Sequence, residues 1–210
     1  MKTFRLSPVI LGLGLLVLAG CDIIPPAQTD PTRYYVLSDA APAPSEAAVT
    51  SGLRIGLRSV ELAGYLKSPD LIVRRGPNEL SLQDYARWAE PLDAGIGRLV
   101  RDQLRADAAV SRVYLQPFPL DANRDYDVSI SVARCEGGAG AAHFAATVEI
   151  STAGDSPHLV ARRTFAAPDA AWDGRDFGQL AGLLSADIQA LGKDIVAALP
   201  SSRPAAPSTP

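Results

Sequence analysis

The chain has 210 residues, 20 basic against 23 acidic side chains, and a formal net charge of −3. That mildly acidic balance lacks the basic face that binding to nucleic acid requires. Two cysteines, Cys21 and Cys135, are too few for a disulfide framework.

The first twenty residues carry Lys2 and Arg5, then an apolar run from Leu6 to Leu18, then Ala19-Gly20 directly before Cys21. This order is that of a secretory signal peptide, and the run is shorter than the roughly 18–20 residues a bilayer crossing needs. The sequence "LAGC" resembles the bacterial lipobox, in which the cysteine thiol takes a diacylglyceryl group and becomes the first residue of the mature chain. Cys21 is therefore the expected lipidation site, and residues 1–20 are expected to be removed. The remaining 190 residues hold 18 basic and 23 acidic side chains, a net charge near −5. Such a body gains nothing from anionic headgroups, so membrane attachment rests on acyl chains, more than one of which is needed for stable anchoring. With Cys21 acylated, Cys135 has no partner, and its place at the end of an apolar strand pattern marks it as a buried small hydrophobe.

Residues 21–32, with "DIIPPAQTD", read as a lipidated tether. "RYYVLS" (33–38) is rich in strand formers, and "DAAPAPSEAAVTSG" (39–52) is a connection dominated by Ala, Pro and Ser. "LRIGLRSVEL" (53–62) begins with clean alternation: Leu53, Ile55 and Leu57 against Arg54, Gly56 and Arg58. "LIVRRG" (71–76) and "NELSLQ" (78–83) flank Pro77-Asn78 and suggest a hairpin, and "SRVYLQPF" (111–118) is a further short strand. In 125–136, Tyr126, Val128, Ile130 and Val132 share one face. In 142–152, Phe144, Ala146, Val148 and Ile150 do the same, and 159–167 pairs plausibly with that strand. These three form an expected antiparallel meander, turning at "GGAG" and "GDSP".

Two segments change period. Leu92, Ile96, Leu99, Val100 and Leu104 make one helical stripe in 91–106, and seven Leu and Ile residues from Leu180 to Leu199 make a longer one in 176–199. Pro200 stops the second helix, and residues 200–210 are expected to be disordered. The expected product is one α+β domain over 33–199, a mixed, mostly antiparallel sheet with both helices on one face. Arg54, Arg58, Ser129 and Ser131 belong to the other, partly polar face.

Marks of catalysis are few. The chain has no G-x-x-x-x-G-K-[ST] loop and no G-x-S-x-G turn. Its two histidines, His143 and His158, have no close ligand cluster, so they make a poor zinc site. Asp121, Asn123 and Asp125 mimic the start of a calcium loop, but Tyr126 stands where a glycine is needed and Val132 where a bidentate glutamate is needed. No cofactor is expected.

One stretch has several readings: "RWAEPL", Arg87 to Leu92. As a helix start, Pro91 suits the first turn because its missing N–H is not needed there, and Glu90 and Asp93 set negative charge at the positive end of the helix dipole. As a docking surface, Trp88 with Arg87 and Tyr85 has the composition of an interface hot spot. The two readings are compatible. As a catalytic site, Glu90 and Arg87 lack a nucleophile partner nearby in sequence.

"YLKSPDLIVRRGPNELSLQDYARWAEPL" (65–92) resembles the signature of the ABC-type transport auxiliary lipoproteins, the PqiC/YmbA-like group. The resemblance rests on Tyr65-Leu66, Pro69, Ile72-Val73-Arg74, Asn78, Leu80 and "RWAEPL", with "YYVL" (34–37) shortly after the lipidated cysteine. Lys67-Ser68 departs from the acidic–basic pair expected before the proline. The resemblance implies a fold akin to the N-terminal domain of TolB, possible ring assembly, and a non-catalytic role. That role is as an adaptor beside an MCE-domain protein, a permease and a separate ATPase, in systems that move lipids across the Gram-negative envelope. It also implies a body facing the periplasm, with the outer membrane favoured over the inner. A lipoprotein that binds a solute or lipid, and a TolB-like structural protein of the envelope, are the alternatives.

Overall fold

The computed structural model describes residues 29–38 and 52–204. Cys21, the signal segment and most of the tether lie outside the described residues, as does the end of the tail. The unit from Thr32 onward is the body described below.

Its axis is β7 (Tyr126–Gly138), a strand of 13 residues. One edge of β7 pairs antiparallel with β8 (Ala141–Thr152), and β8 with β9 (Leu159–Ala166), which is the expected meander. The other edge carries three short partners in succession, all parallel. β2 (Leu53–Leu57) meets Tyr126–Val128, β3 (Glu61–Leu62) meets Ser131–Val132, and β4 (Asp70–Gly76) meets Gly137–Gly138. Outside this row stand β6 (Val110–Leu115), parallel to β2, and β5 (Glu79–Trp88), antiparallel to β4. β1 (Arg33–Tyr35) closes that wing, parallel to β5, and the two-residue β10 (Ala170–Ala171) pairs with β8. The sheet is therefore mixed, with its longest ladders antiparallel.

The pleat explains the core. Val128 stands opposite Ile150, Ile130 opposite Val148 and Val132 opposite Ala146, and all six are buried. α1 (Leu92–Ala106) and α2 (Phe177–Ala198) pack on that face and on each other, contributing Ile96, Leu99, Leu104, Leu184, Ile188 and Leu191. Asp176 caps α2, accepting from the backbone N–H of Gly178 and Gln179 at 2.8 and 3.0 Å.

Three features differ from the sequence reading. β5 runs on to Trp88, five residues past its expected end, because Asp70 and Pro69 supply partners for Arg87 and Trp88. Gly64–Lys67 forms a 3-10 turn that the apolar pattern does not announce. The chain also does not leave the body at Pro200. The Ser202 carbonyl accepts from the Tyr126 hydroxyl at 2.9 Å, and the Arg203 guanidinium donates to the Gly52 carbonyl at 2.9 Å and lies 3.5 Å from Asp125. Ser202 and Arg203, within the stretch expected to be disordered, thus make polar contacts with the body.

Candidate docking cleft

"RWAEPL" ties four parts of the body together. The Arg87 guanidinium lies 3.0 Å from the Asp70 carboxylate, and the Trp88 N–H donates to the Pro69 carbonyl at 2.7 Å. The Ala89 N–H donates to the Tyr35 carbonyl at 2.7 Å, fastening β1. The Glu90 carboxylate accepts from the Arg98 guanidinium on α1, and that guanidinium also donates to the Leu37 carbonyl at 2.7 Å. Pro91 stands at the helix N-cap, one position before α1, and its carbonyl accepts from the Gly95 N–H at 3.1 Å. Asp93 occupies the first turn, near the positive end of the helix dipole.

The two predicted roles separate in space. Trp88 is 7% exposed and belongs to the core. Arg87 and Pro91 are exposed, and Glu90 is half-buried. Tyr85, 61% exposed, is the aromatic that faces outward. Arg98 was missed from the sequence; it lies on α1 whereas Glu90 precedes the helix, so no single periodicity relates the two.

Beside this hub opens a cleft of about 850 Å³. Val60, Leu62 and Leu66 from the β3 segment form one wall, and Trp88, Glu90 and Leu92 the other. A smaller cavity of about 300 Å³ adjoins it, with Val60 and Asp93 lining both.

On the sheet face away from the helices, three acidic side chains of β7 and its approach are buried under arginines. Asp125 accepts from Arg54, Asp127 from Arg58 at 2.9 Å and Arg124 at 2.8 Å, and Glu136 from Arg74 and Arg134. Arg124 also stacks 3.8 Å over the Phe118 ring. Burial alone would raise the pKa of Asp125, but the hydrogen bonds from Arg54 outweigh it and hold the carboxyl below its usual range. Glu136 follows the same balance, with burial opposed by Arg74, Tyr65 and Arg134. Burial and Glu136 push the Tyr65 hydroxyl up to about 12. These are structural clamps, with every carboxylate already matched to a cation.

Burial pushes the Cys135 thiol well above its usual value, with Asp187 and Glu136 adding to the effect. His143 lies between Asp169, at 2.8 Å, and the Gly138 carbonyl, at 2.9 Å. No group of three or more His, Cys, Asp or Glu is placed to hold a metal ion among the described residues. No helix among the described residues is long and apolar enough to cross a membrane.

The family model for the ABC-type transport auxiliary lipoprotein component matches residues 35–203. The chain belongs to this family. The family is one of transport accessory components, not of known enzymes. Solved structures agree on the fold. Protein XCC0632 from Xanthomonas campestris, of family model DUF330, is similar over 79% of this chain and 93% of its own, at 22% identity and a TM-score of 0.64. A second crystal structure, of an uncharacterized protein, covers 79% of this chain and 97% of its own, at 14% identity and a TM-score of 0.63. No curated protein matches the chain.

Proposed function

We propose that this auxiliary lipoprotein is a lipid-anchored adaptor of an MCE-type transporter that moves lipids across the Gram-negative envelope. Its body faces the periplasm and is held to the membrane, in first preference the outer one, by acyl chains on Cys21. Its partners are an MCE-domain protein with a permease and a separate ATPase, and several copies assemble into a ring. The observation that carries the reading is family membership over 35–203 in a chain without a nucleotide-binding loop of its own. ATP hydrolysis must then come from another subunit. The tie of "RWAEPL" to β1, β4 and α1 supports a rigid platform there, with Arg87, Glu90 and Pro91 at its surface and Trp88 beneath.

The test is recovery of the acylated protein from native membranes, with partners identified by mass. An MCE-domain protein recovered in stoichiometric amount supports the adaptor. Recovery of a Tol-type complex, or of no transport component, overturns it.

A further inference from the structure

Among the described residues, one position in the sheet has no strand. In the row beside β7 stand β2, β3 and β4, and in the row beyond stand β6 next to β2 and β5 next to β4. Next to β3 there is no strand among the described residues. The last rung on the β6 side is the Gln116 N–H to the Leu57 carbonyl, at 3.1 Å. The last on the β5 side is the Trp88 N–H to the Pro69 carbonyl, at 2.7 Å. The two cavities lie along the interval between these rungs.

Among the described residues no strand pairs with β3 on the side toward this interval. The Ala63 N–H donates to the Val132 carbonyl on β7 at 3.0 Å. Backbone groups alternate sides along a strand, so those of Glu61 and the Ala63 N–H point to β7 and those of Leu62 point away from it, while the Ala63 carbonyl accepts from the Leu66 N–H at 2.9 Å. An open strand edge is a template for another chain. At about 3.3 Å per residue, the stretch from Arg58 to Leu62 leaves room alongside for roughly four or five residues of an extended segment, whose ladder contact is with Leu62, because the Ser59 N–H already donates to the Gln116 side chain at 3.2 Å.

The surroundings select the chemistry of the occupant. Val60, Leu66 and Leu92 give the larger cavity an apolar floor. Glu61 and Asp93 are exposed at its rim, and among the described residues neither has a cationic partner. Lys67 is the one ammonium lining it. Glu90 is already engaged by Arg98.

We infer that this slot receives an extended segment of a partner protein, which pairs with the Leu62 edge of β3, buries one or two apolar side chains in the cleft, and presents Lys or Arg to Glu61 and Asp93. The inference deepens the adaptor reading by naming the kind of segment that docks, but it is tested without the transporter.

The experiment is selection of 12-residue peptides from a random displayed library on the purified, acylated full chain. The expected winners alternate apolar and polar residues and carry a flanking Lys or Arg. Their affinity should fall at least about tenfold in the E61K/D93N double variant, with a weaker salt dependence. Ala89→Trp, which fills the cleft from an exposed position, should abolish binding. N-methylation of one central peptide amide should weaken binding about tenfold, as loss of a ladder hydrogen bond requires. Circular dichroism and melting establish that both variants fold. Failure to enrich any peptide, enrichment of acidic peptides, or equal binding by both variants overturns the proposal. Phospholipid that copurifies with the wild type and is lost in Ala89→Trp makes the cleft a lipid site instead. A smaller assembly in Ala89→Trp makes a second copy of this chain the occupant. An MCE partner recovered without peptide binding sinks the slot alone; peptide binding without that partner sinks the transport role alone.

Discussion

The Arg98 guanidinium on α1 donates both to the Glu90 carboxylate and to the Leu37 carbonyl, so one side chain fastens the helix to "RWAEPL" and to the chain after β1. Both members of the pair are about one-third exposed, with side chains at 34% and 31%. Solvent screening limits the ion pair to about 1 kcal/mol or less, and the hydrogen bond to Leu37 adds about 1 kcal/mol. Arg98→Ala should therefore lower unfolding free energy by about 1–2 kcal/mol in urea. Amide exchange at residues 36–38 should quicken more than in the sheet centre. Exchange unchanged there would show that the ladder with β5 and the Ala89 hydrogen bond hold this segment without Arg98.

Trp88→Ala removes a core ring and should cost about 3–5 kcal/mol. Loss of a partner in that variant would thus report unfolding as readily as docking. Arg87→Ala, at a 44% exposed side chain, should leave stability within about 1 kcal/mol and is the informative variant for docking at "RWAEPL". Equal melting temperatures for Trp88→Ala and wild type would contradict the burial.

Asp187 sits in the apolar stripe of α2, and burial raises its pKa to about 6, with His143 pulling weakly the other way. The folded state thus binds the proton more tightly than the unfolded chain. The stabilisation from this group is present below about pH 4 and is lost as pH rises to about 6. Asp187→Asn should accordingly stabilise the protein at pH 7.5 by up to about 2–3 kcal/mol and by much less at pH 4. Asp125 and Glu136, whose pKa values are depressed, work in the opposite sense: their contribution is present at neutral pH and is lost as pH falls through their folded values. Chemical denaturation at the two pH values checks the sign for each.

A Cβ at position 137 would fall 2.4 Å from the Trp172 ring. Trp172 is buried, and its Nε1–H donates to the carbonyl of Asp176, the cap of α2, at 2.7 Å. Gly137→Ala should cost about 1–3 kcal/mol and shift tryptophan fluorescence as the ring moves. An unchanged spectrum would show that the ring moves aside without losing its surroundings.

Cys135 is buried with a raised thiol pKa. Ellman's reagent should leave it unmodified in the native protein and titrate it fully in 6 M guanidinium. Rapid native labelling would place it at a solvent path.

The period of the apolar residues was enough to read the meander, both helices and the face they share. Val128, Ile130, Phe144 and Val148 alternate, and Leu92, Ile96 and Leu99 do not, whatever surrounds them. "RWAEPL" is likewise a local pattern, and Pro91 marked the helix start to within one residue. What joined them was not local. Three short strands share one edge of β7, and no alternation in 53–76 says that they line up in a row, because parallel pairing spends backbone hydrogen bonds between segments far apart in sequence. The position beside β3 that no described strand fills exists only once that row is built. Arg98 becomes a clasp, and Trp88 a core residue rather than a surface one, for the same reason: helix and strand termini meet there from four separate stretches of chain, and burial is a property of the meeting.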